Sequence, residues 1–354
     1  AATTLTTQSI GSVVEISSPA GGTRMLSSTW MSDTKVIVAW TLRANPRYVY
    51  MAVGTVSGTA ITYGTPVLVP GSVRGYTADI IWDASVSAGA IFIGDSWNAE
   101  AKYYGFTVSG TTVSVRAVSS SGYFQDSGEK KCIRVASNGS GGFAIVYTAS
   151  NGTLASRVGT INSSADLSIG NNSNTYGGQW TGQYQYGSSI CDVAYVPDRS
   201  TATTSTYGVS TIDGTTGLRC LIISGATGTS HTLNTGSITQ LVSIDNSMGA
   251  SLTYNTEFNC FYMVYRAGSS AYSRTWQVNT AGTGVQDIAS LLVHSGSYSD
   301  IGCDVEYNPG TKKAYITYPS GSTLNGYEIE FASNSSITAS SMYVITAAGT
   351  ESDG

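Results

Sequence analysis

The sequence predicts an all-β fold, a six-bladed β-propeller of four-stranded antiparallel blades. A block of short strands and turns recurs six times along the 354 residues. Apolar and polar residues alternate between Gly, Ser and Asn turns, and helical periodicity is nearly absent. Only 11% of residues are charged, against about 25% in a typical globular protein. A fixed repeat of this length, made of short strands, is typical of a propeller.

The outer half of each repeat is a predicted β-hairpin, clearest over residues 54–67 and again over 106–115. Matching tetrads recur at intervals of 52 to 64 residues and begin at Ile61, Val113, Leu167, His231, Val285 and Ile337. We therefore predict a single domain over residues 1–354, with no Pro-rich linker. Its repeat units span approximately 8–60, 61–112, 113–166, 167–230, 231–284 and 285–354.

The inner half of each repeat is a predicted pair of strands. Aromatic residues eleven positions apart close the two strands, as in Tyr254 with Tyr265. Apolar runs such as 36–39 and 144–146 indicate strands that are buried on both faces. Blades covered by a neighbour on each side need such strands.

A propeller ring needs its first and last blades joined, because an open sheet edge invites aggregation. A seventh copy of the hairpin begins near Gln8, and strands near Ile10 and Tyr343 could each complete a joining blade. We expect six blades closed by strands from both termini. The alternatives are seven blades, or an open array within a longer protein.

Composition excludes several classes of partner. The net charge is −5 and there is no basic run, so we predict no nucleic-acid partner. No stretch of ~18 apolar residues is present, so we predict no membrane insertion. No secretory signal is visible at the first residues. A neutral surface rich in hydroxyls and amides suits glycans or other protein subunits.

The five cysteines are predicted to be buried structural thiols. Cys132, Cys191 and Cys303 are assigned to one repeat position, which Ala78 and Ala250 hold in two other repeats. A position filled by Cys or Ala favours a small apolar side chain. An odd cysteine count without a Cys-x-x-Cys pair argues against a complete disulfide framework and against zinc. Free thiols indicate synthesis in a reducing compartment.

Three carboxylates share the next repeat position in the second, fourth and sixth repeats: Asp79, Asp192 and Asp304. The other repeats are assigned Ser27, Ile133 and Ser251 at that position. Each aspartate is expected to bond to the backbone of a neighbouring blade. The alternative is that they face the central channel together and bind a cation. We predict no metal and no cofactor.

The predicted ligand-binding surface is the loop over residues 171–189. It carries Tyr176, Trp180, Tyr184 and Tyr186 among Gly, Gln, Asn and Ser. Aromatic faces can stack on sugar rings, while amides bind sugar hydroxyls. Tyr186 and Tyr298 each lie five residues before a cysteine, so a structural role for these two rings is the alternative.

No catalytic residues are predicted. The only histidines, His231 and His294, lie in different repeats, which argues against a nucleophilic triad. Glycosidases need a pair of carboxylates, and no spacing singles one out. The Ser-x-Asp-x-Gly-x-x-Trp turn of sialidases is absent.

The hairpin over residues 54–67 resembles a repeat of tail-fibre-like virion proteins from bacteriophages of marine bacteria and cyanobacteria. Residues 303–318 are similar to the strand, Asn-Pro turn and strand of that repeat. The resemblance covers most of the chain at the level of the repeat. It implies a virion-exposed propeller, synthesised in the host cytoplasm, that binds a host surface glycan or receptor. It defines no catalytic residues.

These observations favour a non-enzymatic virion protein that binds host glycan and contacts other virion subunits. A structural or decoration subunit without a host ligand is the first alternative. A glycan-cleaving enzyme and a cellular lectin are the others.

Overall fold

The protein is described by a computed structural model. It covers residues 23–42, 46–71, 75–95, 100–116, 123–125, 132–148, 153–170, 174–176, 191–213, 217–242, 250–267, 270–279, 284–295, 303–320, 323–339 and 343–347.

Six antiparallel sheets follow one another along the chain, and we call them the first to sixth blades. Each has four strands, the outermost of which consists of two segments in four of the blades. The first blade contains β1 (Thr23–Ser32), β2 (Lys35–Leu42), β3 (Val49–Ser57), β4 (Ala60–Tyr63) and β5 (Val67–Leu68). The second contains β6 (Gly75–Asp83), β7 (Ala88–Asp95), β8 (Glu100–Ser109), β9 (Thr112–Val115) and β10 (Tyr123–Gln125). The third contains β11 (Ile133–Ser137), β12 (Gly142–Thr148), β13 (Leu154–Ile161), β14 (Leu167–Ile169) and β15 (Asn174–Tyr176).

The remaining three blades repeat this plan. The fourth contains β16 (Cys191–Tyr195), β17 (Ser205–Asp213), β18 (Gly217–Thr227) and β19 (Ser230–Val242). The fifth contains β20 (Ala250–Asn255), β21 (Cys260–Ala267), β22 (Ser270–Val278) and β23 (Val285–Ser295). The sixth contains β24 (Asp304–Asn308), β25 (Lys313–Ser320), β26 (Thr323–Ser333), β27 (Ser336–Ala339) and β28 (Tyr343–Ala347). A 3₁₀ turn, Pro197–Arg199, follows β16.

The predicted outer hairpin is present. In the first blade β3 turns into β4 at Gly58, and in the second β8 turns into β9 at Gly110. Both glycines have φ near +60°, a conformation that a two-residue hairpin turn requires and that L side chains rarely adopt. In four blades the outer strand is split into two segments that pair with the same third strand.

The hydrophobic core lies between the blades. Each interface between consecutive blades, from the first to the sixth, holds one cluster of buried side chains. Phe92 of the second blade packs on Phe143 of the third, with ring centroids 5.4 Å apart. The apolar runs at 36–39 and 144–146 are buried on both faces, which confirms the prediction of covered strands.

The all-β prediction is confirmed, and six four-stranded sheets match the expected number of blades. Closure of the ring is not shown. β28, which contains Tyr343, pairs with β26 inside the sixth blade, and Ile10 lies outside the described residues. Over the described ranges, no hydrogen-bonded strand pair joins the first blade to the sixth. No helix in the described part of the chain has the length and apolar character that crossing a membrane would need.

Candidate functional site

The inner strands of all six blades line a central channel with a volume of about 760 Å³. One residue from each blade contributes to a band of polar side chains, which we call the polar ring. Its members are Ser27, Asp79, Arg134, Asp192, Ser251 and Asp304.

The strand register corrects one assignment made from the sequence. Ile133 lies opposite Tyr147 in the third blade, as Ala250 lies opposite Tyr265 in the fifth. Ile133 rather than Cys132 therefore matches Cys191. Arg134, and not Ile133, occupies the aspartate position. The sequence comparison was one residue out of step because it aligned the cysteines.

Hydrogen bonds across the polar ring tie neighbouring blades together. The carboxylate of Asp79 accepts from the backbone N–H of Val135, at 2.8 Å, in the next blade. The carboxylate of Asp192, in the fourth blade, accepts from the N–H of Leu252 in the fifth, at 2.7 Å. These contacts confirm that both aspartates bond to a neighbouring blade's backbone.

The third aspartate is held by a side chain. The hydroxyl of Ser251 donates to Asp304, at 2.8 Å, across the interface between the fifth and sixth blades. The N–H of Val305 lies 3.2 Å from the same hydroxyl. No group of three or more His, Cys, Asp or Glu side chains is arranged to hold a metal ion in the described residues.

Arg134 lies between two of the aspartates. Burial alone would lower the pKa of its guanidinium, but the acidic groups around it, Cys132, Asp79 and Asp192, raise that pKa. Burial raises the pKa of Asp192 to about 7, although Arg134 opposes the shift. Burial and the neighbouring Asp304 raise the pKa of Glu306 to about 7 as well. Asp79, Asp192, Asp304 and Glu306 line the channel together with Arg134, so it carries more acidic than basic groups.

We expect the protein to be more stable at pH 5 than at pH 8. An unfolded aspartate has a pKa of about 3.9, so the raised folded pKa of Asp192 contributes stability that is complete below pH 4 and lost as the pH rises through 7. Asp192→Asn keeps an oxygen for the N–H of Leu252 and removes the charge. Between pH 5 and pH 8, the melting temperature of this variant should therefore fall by ~3 °C less than the melting temperature of the wild type.

Thermal unfolding at pH 5, 6, 7 and 8 measures this difference. Asp166→Asn is the control, because Asp166 is an exposed carboxylate paired with Arg116 at 2.8 Å. An Asp192→Asn profile parallel to that of the wild type and of the control would contradict the assignment.

A second cavity, of about 270 Å³, lies between the third and fourth blades, and we call it the inter-blade pocket. Its floor includes Phe143, which is 1% exposed, and Tyr207, which is also 1% exposed. The half-buried ring of Tyr195 lies 5.5 Å from the Tyr207 ring, centroid to centroid. The volume is close to the lower end of the range of about 300–1,000 Å³ for small-molecule pockets, which suits a single sugar ring.

The rim of the inter-blade pocket is a turn of the fourth blade, residues 200–204. The hydroxyl of Thr201 accepts from the N–H of Thr204, at 3.0 Å, and lies 2.8 Å from the hydroxyl of Thr204. Thr201, Ala202 and Thr203 are exposed. This turn belongs to the fourth repeat, in which the interval between hairpins, from Leu167 to His231, is 64 residues against 52 to 54 in the others. That extra length is the one signal in the sequence that distinguishes the pocket from the other blade interfaces.

The opposite rim comes from the third blade. The amide of Asn138 donates to the hydroxyl of Ser205, at 2.9 Å, across the blade interface. Its side-chain oxygen accepts from the N–H groups of Ser140 and Gly142, at 2.8 Å each. Ser140 and Thr160 also line a wide, open depression between the second and third blades, so a ligand longer than one sugar could extend across this face.

The inter-blade pocket is uncharged. Among the described residues that line it there is no Asp, Glu, Lys, Arg or His. Such a site offers hydroxyls, an amide and aromatic rings, which are the groups that bind a neutral polar ligand. The polar ring of the channel is charged, so it would favour a charged ligand over a neutral one.

The structure says little about the aromatic residues predicted to bind ligand. Tyr176 ends β15, which pairs with β13 of the third blade, and nothing is described of its side chain. Trp180, Tyr184 and Tyr186 lie outside the described residues. The prediction for these four residues therefore remains untested.

The other sequence candidates are structural where they are described. His231 of the fourth blade lies 2.9 Å from the hydroxyl of Ser156 in the third, and burial lowers the pKa of its imidazole. All five cysteines are buried and none is in a disulfide, which confirms that the thiols are buried.

Comparison with solved structures supports the fold. A protein from Lactobacillus plantarum is 10% identical, with a TM-score of 0.57 over 90% of this chain and 84% of its own. The Aleuria aurantia lectin, in a structure with Fucα1-6GlcNAc, is 10% identical, with a TM-score of 0.51 over 93% and 97%. A candidate 6-phosphogluconolactonase from Bacteroides fragilis is 10% identical, with a TM-score of 0.56 over 89% and 82%. These likenesses show that the chain has the propeller fold. At 10% identity they do not assign it a ligand or an activity.

No protein-family model matches the sequence, and no curated protein matches it.

Proposed function

We propose that this chain is a non-catalytic propeller that binds a neutral glycan in the inter-blade pocket. The uncharged lining of that pocket carries the proposal. Tyr195 supplies a half-buried aromatic ring, and the Thr201–Thr204 turn and Asn138 supply hydroxyls and an amide. A sugar offers the matching groups, apolar ring faces and hydroxyls at its edges.

The lectin likeness is compatible with this function. The Aleuria aurantia lectin has the same fold over 93% of this chain and was solved with a fucose-containing disaccharide. At 10% identity the likeness shows a shared fold alone. We therefore infer the ligand of this chain from the residues that line its own pocket.

We place the propeller on the surface of a bacteriophage particle, as a tail-fibre-type protein that attaches to host glycan. The support for this placement is the resemblance of residues 54–67 and 303–318 to a virion repeat. One pocket of this size gives weak binding, which several copies on one particle would strengthen. A structural or decoration subunit of the virion is the alternative.

The channel gives little support to an activity on an anionic substrate. The candidate 6-phosphogluconolactonase from Bacteroides fragilis is named for a phosphorylated, and therefore anionic, substrate. Four carboxyl groups, Asp79, Asp192, Asp304 and Glu306, line the channel with one guanidinium. That balance disfavours an anion.

A panel of neutral and acidic bacterial polysaccharides tests the proposal, with bound protein and released reducing sugar measured on the same samples. We expect retention on one or more neutral polysaccharides, no retention on acidic ones, and no released sugar. Retention on none would favour the structural subunit. Released sugar would identify an enzyme and overturn the proposal.

A further inference from the structure

Two thiols meet at the interface that forms the inter-blade pocket. Cys132 directly precedes β11 of the third blade, and Cys191 begins β16 of the fourth. Their sulfur atoms are 3.2 Å apart, and the Sγ of Cys132 lies 3.6 Å from the backbone oxygen of Cys191. Cys132 is 2% exposed and Cys191 is 0% exposed.

The propeller geometry explains this contact. Inner strands converge toward the channel, so side chains near the ring meet across each blade interface. Ser27 reaches Asp79 at 2.5 Å, and Ser251 reaches Asp304 at 2.8 Å, in the same way. At the interface between the third and fourth blades two cysteines, which lie just before the ring residues Arg134 and Asp192 in the sequence, also meet. A disulfide has an S–S distance of about 2.05 Å, so the sulfurs need to approach by about 1 Å.

We propose that Cys132 and Cys191 form an inter-blade disulfide when the folded protein meets a peroxide. One thiolate attacks a peroxide oxygen, which gives a sulfenic acid and releases water after protonation. The second thiol attacks that sulfenic sulfur and displaces a second water. Two thiols are oxidised to one disulfide while one hydrogen peroxide is reduced to two waters.

The surroundings set the rate of this step. The hydrogen bond with Cys132, together with burial, raises the pKa of the Cys191 thiol well above its usual value, and Arg134 opposes that shift. The thiolate is therefore scarce at neutral pH, and oxidation should be slow there and faster at pH 9. This places the reaction after release into an oxidising medium rather than during synthesis in a reducing one.

The bond would lock the two blades that form the inter-blade pocket. The cysteines are 59 positions apart, and both belong to the hydrophobic cluster that joins the third and fourth blades. Closing a loop of that length restricts the unfolded chain, and we expect a rise in melting temperature on the order of 5 °C.

The test treats the full chain with hydrogen peroxide at pH 7 and pH 9, then alkylates the remaining thiols under denaturing conditions. We expect alkylation to fall from five sites to three. A non-reducing digest should contain a peptide that links Cys132 to Cys191. The melting temperature should rise and return to its starting value on reduction.

Cys132→Ala should abolish the cross-link and the rise in melting temperature, whereas Cys260→Ala, at a buried thiol of the fifth blade, should retain both. Peptide mapping of the wild type decides the question even if a variant fails to fold. Five alkylated thiols after treatment, a bond between other cysteines, or a bond between two chains would each overturn the proposal.

Discussion

Arg134→Leu should lower the free energy of unfolding by ~2 kcal/mol at pH 8 and by less at pH 5. Arg134 is the only cation of the polar ring and lies between Asp79 and Asp192. Without it two half-buried carboxylates repel each other with no compensating charge. Asp192, whose pKa is about 7, becomes largely neutral at pH 5, so the repulsion fades there.

Urea unfolding at the two pH values measures this effect. Arg116→Leu is a matched control, because Arg116 also bridges two blades but pairs with Asp166 in solvent, where such pairs contribute about 0–1 kcal/mol. Equal losses for the two arginine variants, or a loss at Arg134 that does not change with pH, would contradict the role assigned to the ring.

Gly170→Ala should lower the free energy of unfolding by ~3 kcal/mol. A Cβ at Gly170 in the third blade would lie 2.0 Å from the backbone oxygen of Thr229 in the fourth. The glycine has no room to shift, because its N–H donates to Val158, at 2.9 Å, and its oxygen accepts from Arg157, at 2.7 Å. The added methyl group would push the third and fourth blades apart.

Gly310→Ala is the control for that substitution. It lies in an exposed turn, where the nearest atom to a new Cβ is the side-chain oxygen of Asn308 at 3.2 Å, and should change stability by less than ~0.5 kcal/mol. If Gly170→Ala unfolds like this control, the two blades are not packed as closely as the structure has them. Because the same two blades form the inter-blade pocket, Gly170→Ala should also weaken glycan binding.

The architecture could be predicted from the sequence because it repeats. Six copies of one hairpin, with turns such as Gly58 and Gly110, indicate the blade plan whatever the details of packing. Buried thiols could be predicted for a similar reason, since Cys191 and Cys303 share a repeat position with Ala78 and Ala250. Closure of the ring could not be predicted in the same way, because it depends on which strands of the first and last blades pair with each other.

The polar ring was only partly predictable. Asp79, Asp192 and Asp304 stand out because they share a repeat position, but Arg134 was missed. The third repeat carries its cysteine one residue earlier, and alignment by residue type follows that cysteine rather than the strand register. The strand pairing that sets Ile133 opposite Tyr147 places Arg134 in the ring, and sequence spacing does not show that pairing.

The inter-blade pocket was not predicted at all. Its lining comes from two blades, and residues such as Asn138 and Ser205 are 67 positions apart. Neither carries a motif, and both are common residue types in this chain. Sequence reasoning favoured the aromatic loop around Trp180 instead, because clustered rings are visible along the chain while a pocket assembled across blades is not.

The most direct test of glycan binding in the inter-blade pocket is a calorimetric titration. A neutral oligosaccharide from the polysaccharide panel is titrated into the wild type, Ala202→Arg and Thr256→Arg. Both residues are exposed in turns between the first two strands of a blade, but only Ala202 lies on the rim of the pocket, and Thr256 belongs to the fifth blade. We predict that Ala202→Arg raises the Kd about tenfold or more, while Thr256→Arg leaves it within about twofold. Equal affinity for all three proteins would show that the glycan binds elsewhere and would contradict the site.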